Sequence, residues 1–319
     1  MNVVYEIMKY AFAVRQSSDL SIKFVLLTMP KRSQNFIEHF VPAANISESI
    51  LLSLPFDSKK NTIILIHGWL NNYKTSNGWI QGICNITRDY GPHEYQIIFV
   101  DWGHAASSPY YVPAAANVNI VASVIASFLK LLVIVRNANT SRFHIIGFSL
   151  GAHIAGFVGL DPAAPLFDGF ESNFRIDKDD AAMVEIVHTY SGKFFSGFSL
   201  LGTVGKIDIY VNGGERQPNC RDPPFGAIAG LFSSTPSCNH ERSIELTAFN
   251  FKKFGICQPV AYKCNDYETF LEGQCTECGD HNEKCTLLGI WPQESNYFLT
   301  NKASSGRFYL KTRGKRPFC

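Results

Sequence analysis

One stretch restricts the fold of this chain more than any other. Phe143-His-Ile-Ile146 is a short apolar run that ends at Gly147-Phe-Ser149-Leu-Gly151, and the small residues Ala152, Ala155 and Gly156 follow. A β-branched run before Gly-x-Ser-x-Gly, with a helix after it, places the serine on a sharp turn at the carboxyl edge of a sheet. Small flanking residues leave room for that turn. The following helix N-terminus favours negative charge developing nearby. Ser149 is therefore the candidate nucleophile.

The rest of the chain supports such a sheet. Thr62–Ile66, Tyr95–Val100 and Met183–Val187 are further apolar runs, ending at His67-Gly68, Asp101-Trp102 and His188-Thr189. Runs of this kind read as buried strands of a mostly parallel sheet. Between the second run and Phe143, an apolar stripe through Val118, Val121, Ile125, Phe128, Leu129 and Leu132 predicts a helix over residues 113–135. Strand–helix alternation predicts an α/β doubly wound sheet with a parallel core. Leu20–Leu27 reads as an edge strand. No internal repeat interrupts the chain.

Length and composition agree. With 319 residues, 46% apolar and 13% aromatic, a large core is available, and a net charge of +2 gives no basis for nucleic-acid binding. No apolar run approaches the ~20 residues needed to span a bilayer. Of nine cysteines, only Cys84 lies outside the last hundred residues. That clustering predicts disulfides and an oxidising compartment. Cys275-Thr-Glu-Cys278 also reads as half a zinc site, but no second tight pair matches it. An odd count leaves at least one thiol free or paired between chains. Sequons at Asn45, Asn85 and Asn139 support export. Residues 1–18 form a poorly defined segment, and Glu6 and Lys9 inside its apolar run make a poor signal peptide.

A serine nucleophile needs two oxyanion donors and a base. Leu150 N–H follows the serine. The second donor comes from the loop after an earlier strand, where Trp69 follows His67-Gly68. His188, His240 and His281 are the later histidines. His240 is favoured because Cys238 beside it fixes its loop.

ILIHGWL, VDWG, IIGFSLGAHIAGFVG, GLDPAAPLF, VHTYSG, YVNGGERQPNC and SCNHERS occur in this order. In this the chain resembles the pancreatic-lipase-like family of secreted lipases, phospholipases A1 and catalytically dead yolk proteins. The resemblance covers roughly Asp19 to Phe318. It implies an α/β-hydrolase fold in a single domain over 19–319, with a lid over 221–237. It implies a Ser149, Asp161, His240 triad needing no cofactor, with oxyanion donors at Trp69 and Leu150. It also implies disulfides Cys220–Cys238, Cys264–Cys275 and Cys278–Cys285. Cys257–Cys319 is then a guess that leaves Cys84 over. The expected partner is a lipid ester at a lipid–water interface, as triacylglycerol or, alternatively, as phospholipid for a phospholipase A1. The chain ends without a β-sandwich domain, so no colipase is expected. Metal binding is left open: Asp177 and Asp180 could supply oxygens to calcium or form a solvated loop.

One spacing departs from the family. Asp161 follows Ser149 by 161 − 149 = 12 positions, fewer than in relatives. If Leu150–Gly159 is helical, it extends ~15 Å from the serine and strands Asp161 at its far end. Either a segment is missing from this chain, or the protein has diverged towards binding lipid without turnover, as yolk proteins do.

Overall fold

A computed structural model describes residues 20–29, 35–91, 93–192, 197–222, 237–249, 259–288 and 305–318. The N-terminal segment 1–18, the middle of the expected lid, and both Cys257 and Cys319 lie outside the described residues. The chain forms two compact units, residues 1–155 and 156–319.

In the first unit the strands are β1 (Lys23–Thr28), β2 (Ile37–Pro42), β3 (Asn61–Ile66), β4 (Tyr95–Asp101) and β5 (Phe143–Phe148). Their order is β2-β1-β4-β3-β5. The β3–β4 and β3–β5 pairs are parallel, and β1 runs antiparallel to β4 and to β2. The three runs read as parallel strands from the sequence are therefore neighbours. Their side chains from Ile63 to Ile66 and from Ile97 to Val100 are almost fully buried, as expected for strands covered on both faces. β1 is not the edge strand: β2 lies outside it. The sequence hid β2 because IEHFVP buries only Val41 and shows no apolar run.

The helices of this unit are α1 (Glu48–Ser53), α2 (Asn77–Tyr90), α3 (Gly103–Ala106), α4 (Tyr111–Arg136) and α5 (Leu150–Ala155). α4 spans the predicted helix and buries Val118, Val121, Ile125, Phe128 and Leu132. It also corrects the reading that no apolar run approaches membrane-spanning length. With Lys130 as the one charged residue between Tyr111 and Val135, it is long and apolar enough by length and composition. Ten of its residues are nevertheless buried inside the unit. Its end is anchored by Arg136, which donates to Leu51 O at 2.6 Å and Leu54 O at 2.7 Å.

In the second unit the strands are β6 (Val158–Leu160), β7 (Glu185–His188), β8 (Ile207–Val211), β9 (Val260–Lys263), β10 (Cys285–Leu287) and β11 (Gly306–Leu310). They run in the order β6-β7-β8-β11-β9-β10, parallel from β6 to β11 and antiparallel beyond. Among its described residues the unit also holds the helices α6 (Cys238–Thr247) and α7 (Tyr267–Leu271). The three disulfides implied by the resemblance, Cys220–Cys238, Cys264–Cys275 and Cys278–Cys285, are all formed. Cys275 and Cys278 thus belong to different bridges, which removes the zinc alternative at that motif. Cys84 is a buried free thiol. A mostly parallel sheet flanked by helices, with a strand–serine–helix turn, is the α/β-hydrolase fold.

Candidate active site

The serine turn sits where the sequence places it. Ser149 stands between β5 and α5 with φ +56°, a conformation that costs a non-glycine residue roughly 1–3 kcal/mol. The surroundings enforce it. A Cβ on Gly147 would lie 2.0 Å from Gly151 O, and one on Gly151 would lie 2.3 Å from Ile66 O. Neither contact could relax without moving backbone, so both glycines of the motif are steric requirements. All six residues of α5 are buried, which seats the turn firmly.

The loop after β3 passes directly against the serine. A Cβ on Gly68 would sit 2.7 Å from Ser149 Cβ and 3.3 Å from its Oγ. Trp69 is the next residue, and its indole Nε1–H donates to Ser108 O at 2.7 Å. Leu150, on the other side, opens α5, where first-turn N–H groups lack helical partners. His67 holds this loop in shape. Its Nδ1 lies 2.8 Å from Gly68 O, and its Nε2 accepts from Trp102 N–H at 3.1 Å. Trp102 Nε1–H donates in turn to His67 O at 2.7 Å. The acceptor role of Nε2 assigns the proton to Nδ1, so buried His67 acts as a brace.

Asp161 and His240 meet in the second unit. The Asp161 Oδ2–His240 Nδ1 distance is 2.6 Å, with the carboxylate fully buried. The other oxygen accepts from Thr189 N–H at 2.6 Å and Tyr190 N–H at 2.9 Å. Asp161 has φ +48°, and its own N–H donates to Val187 O at 2.8 Å. Since a carboxylate only accepts, Nδ1 carries the proton and Nε2 is the ring's acceptor. Short, charge-assisted bonds of this kind are the stronger class. Burial, and then the charges of Asp222 and Asp161, push the nearby Tyr190 phenol above its usual range.

This contact corrects the expectation that Asp161 is stranded. The helix after Ser149 stops at Ala155 instead of running to Gly159, because Gly156 takes φ +62° and ends it. Val158–Leu160 then forms β6, parallel to β7, and delivers Asp161 to the turn after β7. The short link therefore does not keep the acid from the base.

The other histidines considered as bases are placed elsewhere. His188 is fully buried, with Nε2 2.9 Å from Asp208 Oδ1 and its ring stacked 4.3 Å from Tyr210. The sequence reading did not find Asp208; its one cue is an acidic residue inside the apolar run IDIYV. His281 lies in an exposed turn where its N–H donates to Glu283. Asp177 and Asp180 bond within their own turn: Asp180 Oδ2 accepts from Asp177 N–H at 2.8 Å, and Asp177 Oδ1 from Asp179 N–H at 3.2 Å. No group of three or more His, Cys, Asp or Glu side chains suited to a metal occurs among the described residues.

The chain is similar in sequence to known lipases. The chain is 32% identical over 277 residues to lipase member H-A of Xenopus laevis, covering 82% of this chain and 56% of that one. It is 30% identical over 318 residues to a putative endothelial lipase of Crotalus adamanteus, covering 94% and 60%. Against lipoprotein lipase of Mus musculus it is 32% identical over 329 residues, covering 97% and 66%. The chain thus spans between about half and two thirds of the length of these relatives. A model of the family described as Lipase matches residues 6–318. With its serine turn, its buried Asp161–His240 pair and the three disulfides among its described residues, the chain belongs to the pancreatic-lipase-like family of lipases.

Proposed function

We propose that this protein hydrolyses carboxylic esters of lipids, as a triacylglycerol lipase or, alternatively, as a phospholipase A1. The observation that carries the reading is the buried Asp161–His240 contact at 2.6 Å. It fixes the imidazole as the tautomer a serine nucleophile needs. In this reading Ser149 Oγ attacks the ester carbonyl carbon while its proton passes to His240 Nε2. The N–H groups of Trp69 and Leu150 hold the resulting oxyanion. The C–O bond to the alcohol then breaks, and His240 returns the proton to the leaving oxygen. Water attacks the acyl-serine next, with His240 taking its proton, and the fatty acid leaves as Ser149 is regenerated.

Three disulfides and three sequons favour an exported protein. Asn45, at the end of a short 3-10 turn, and Asn139, in a loop, are exposed, which suits them to carry glycans. A non-catalytic, yolk-type role is disfavoured, because an assembled acid–histidine pair has no purpose in mere binding.

Release of fatty acid from emulsified triacylglycerol tests the reading, with phosphatidylcholine vesicles and the Ser149→Ala variant alongside. Triacylglycerol turnover that the variant abolishes is expected. Turnover of phosphatidylcholine alone would make the protein a phospholipase A1. Absence of turnover on both would overturn the hydrolase reading.

A further inference from the structure

Hydrolysis as proposed uses the Asp161–His240 contact but does not explain what fixes its distance. The two residues come from different elements, a turn after β6 and the first turn of α6. His240 lies on a helix about 5–6 Å in radius including side chains, so a rotation of about 10° moves its ring by about 1 Å. The Cys220–Cys238 bridge tethers the start of α6.

A closed circuit of buried polar contacts removes that freedom. Thr189, whose N–H holds Asp161, has its carbonyl held by Gln217 Nε2–H at 3.0 Å. Gln217 also donates to Val211 O at 2.8 Å, and Asn212 donates to its side-chain oxygen at 2.9 Å. The backbone N–H of Gln217 donates to Asn239 Oδ1 at 2.6 Å. Asn239 immediately precedes His240, and its Nδ2–H donates to Asp222 Oδ2 at 2.6 Å. Asp222 further accepts from Ser237 O–H at 2.9 Å, Cys238 N–H at 3.0 Å and Asn239 N–H at 2.8 Å. Gln217 and Asn239 are 3% and 2% exposed, so the bonds of Gln217 to Thr189, Val211 and Asn239 are sheltered from water, while those to Asp222 are partly buried.

Asn239 is the hub. One side of its amide faces the segment that holds the acid, and the other faces the carboxylate that caps the helix bearing the base. We infer that Asn239, clamped between Gln217 and Asp222, is a positioning residue that sets the Asp161–His240 contact. Only its kinetic consequence rests on the hydrolase reading.

Asn239→Asp tests this with almost no change in shape. The acceptor towards Gln217 survives, but a second carboxylate now faces Asp222 in place of a donor. Asn239→Leu, of similar volume, removes both the acceptor towards Gln217 and the donor towards Asp222. Two readouts apply to both variants: the low-field proton resonance of the His240 Nδ1–H in cold solution, and kcat and KM on a soluble short-chain ester. Asn239→Asp should shift or abolish the resonance and lower kcat by about 10- to 100-fold, the scale of a misplacement of about 1 Å. KM should stay within about twofold, because the ester itself does not touch this circuit. Asn239→Leu should show the same losses, because Gln217 N–H and Asp222 then lack their shared partner.

A folded Asn239→Asp protein with an unchanged resonance and kcat would overturn the inference. So would a folded Asn239→Leu protein with the wild-type resonance and kcat. If Asn239→Asp fails to unfold cooperatively, Asn239→Leu carries the same expectations without adding charge. A wild-type protein that shows the resonance but no turnover refutes hydrolysis, and the resonance then decides the positioning role alone.

Discussion

Replacing Asp161 separates what it does for the fold from what it does for the base. Its carboxylate accepts three bonds: from Thr189 N–H, Tyr190 N–H and His240 Nδ1–H. Asp161→Asn keeps an oxygen towards the two backbone donors but presents an amide NH2 to Nδ1. Two donors cannot face each other, so the imidazole must move its proton to Nε2, the nitrogen that has to accept from Ser149. A loss of kcat of about 10⁴-fold is expected from this wrong tautomer, equivalent to about 5 kcal/mol of transition-state stabilisation. Stability should change little, because both buried N–H groups stay paired. Asp161→Ala behaves differently. It orphans two buried N–H groups, at about 1–3 kcal/mol each, so roughly 2–6 kcal/mol of stability should be lost. Urea unfolding followed by tryptophan fluorescence, beside ester turnover, reads both quantities. If Asp161→Asn stays within about tenfold of wild-type kcat, the assigned acid role is wrong. If Asp161→Ala is as stable as wild type, the buried-acceptor role is wrong.

Two further predictions concern the first unit. Gly151→Ala would drive a Cβ to 2.3 Å from Ile66 O and 2.5 Å from His67 O, both backbone atoms. It should cost at least about 1–3 kcal/mol of stability and remove ester turnover, whereas Gly78→Ala, with nothing within 4 Å of its Cβ, should do neither; urea midpoints and initial rates compare them. Burial pushes the Cys84 thiol up to about 12 against its ordinary value, with Arg88 opposing and Glu38 adding to the shift. Iodoacetamide at pH 8 should therefore leave Cys84 unlabelled in the native protein and label it after denaturation, as read by peptide mass; native labelling would contradict the burial.

Much of this was legible in the sequence, because the relevant signals are local. The runs before His67, Asp101, Gly147 and His188 became β3, β4, β5 and β7, since short β-branched stretches that end in turn residues have few alternatives as buried strands. The serine turn was equally plain, its two glycines being required by contacts within a few residues. The reading failed where a short element was set against a longer default. Gly156 was absorbed into a helix, although Phe157-Val158 after it is a strand signal, and β6 with three residues is too brief for periodicity to show. β1 was misplaced at the edge because β2 carries no apolar pattern. The circuit through Gln217, Asn239 and Asp222 was not legible at all. It joins residues up to 28 positions apart through polar atoms, and only folding brings such partners together.

The central claim is that Ser149 is an activated nucleophile, and a fluorophosphonate tests it most directly, since stable addition requires an attacking serine beside a working base. Intact-mass analysis of the protein after incubation should show a single adduct, mapped by peptide sequencing to Ser149, formed more slowly in Asp161→Asn and absent in Ser149→Ala. A folded wild-type protein that acquires no adduct at Ser149 would contradict the account.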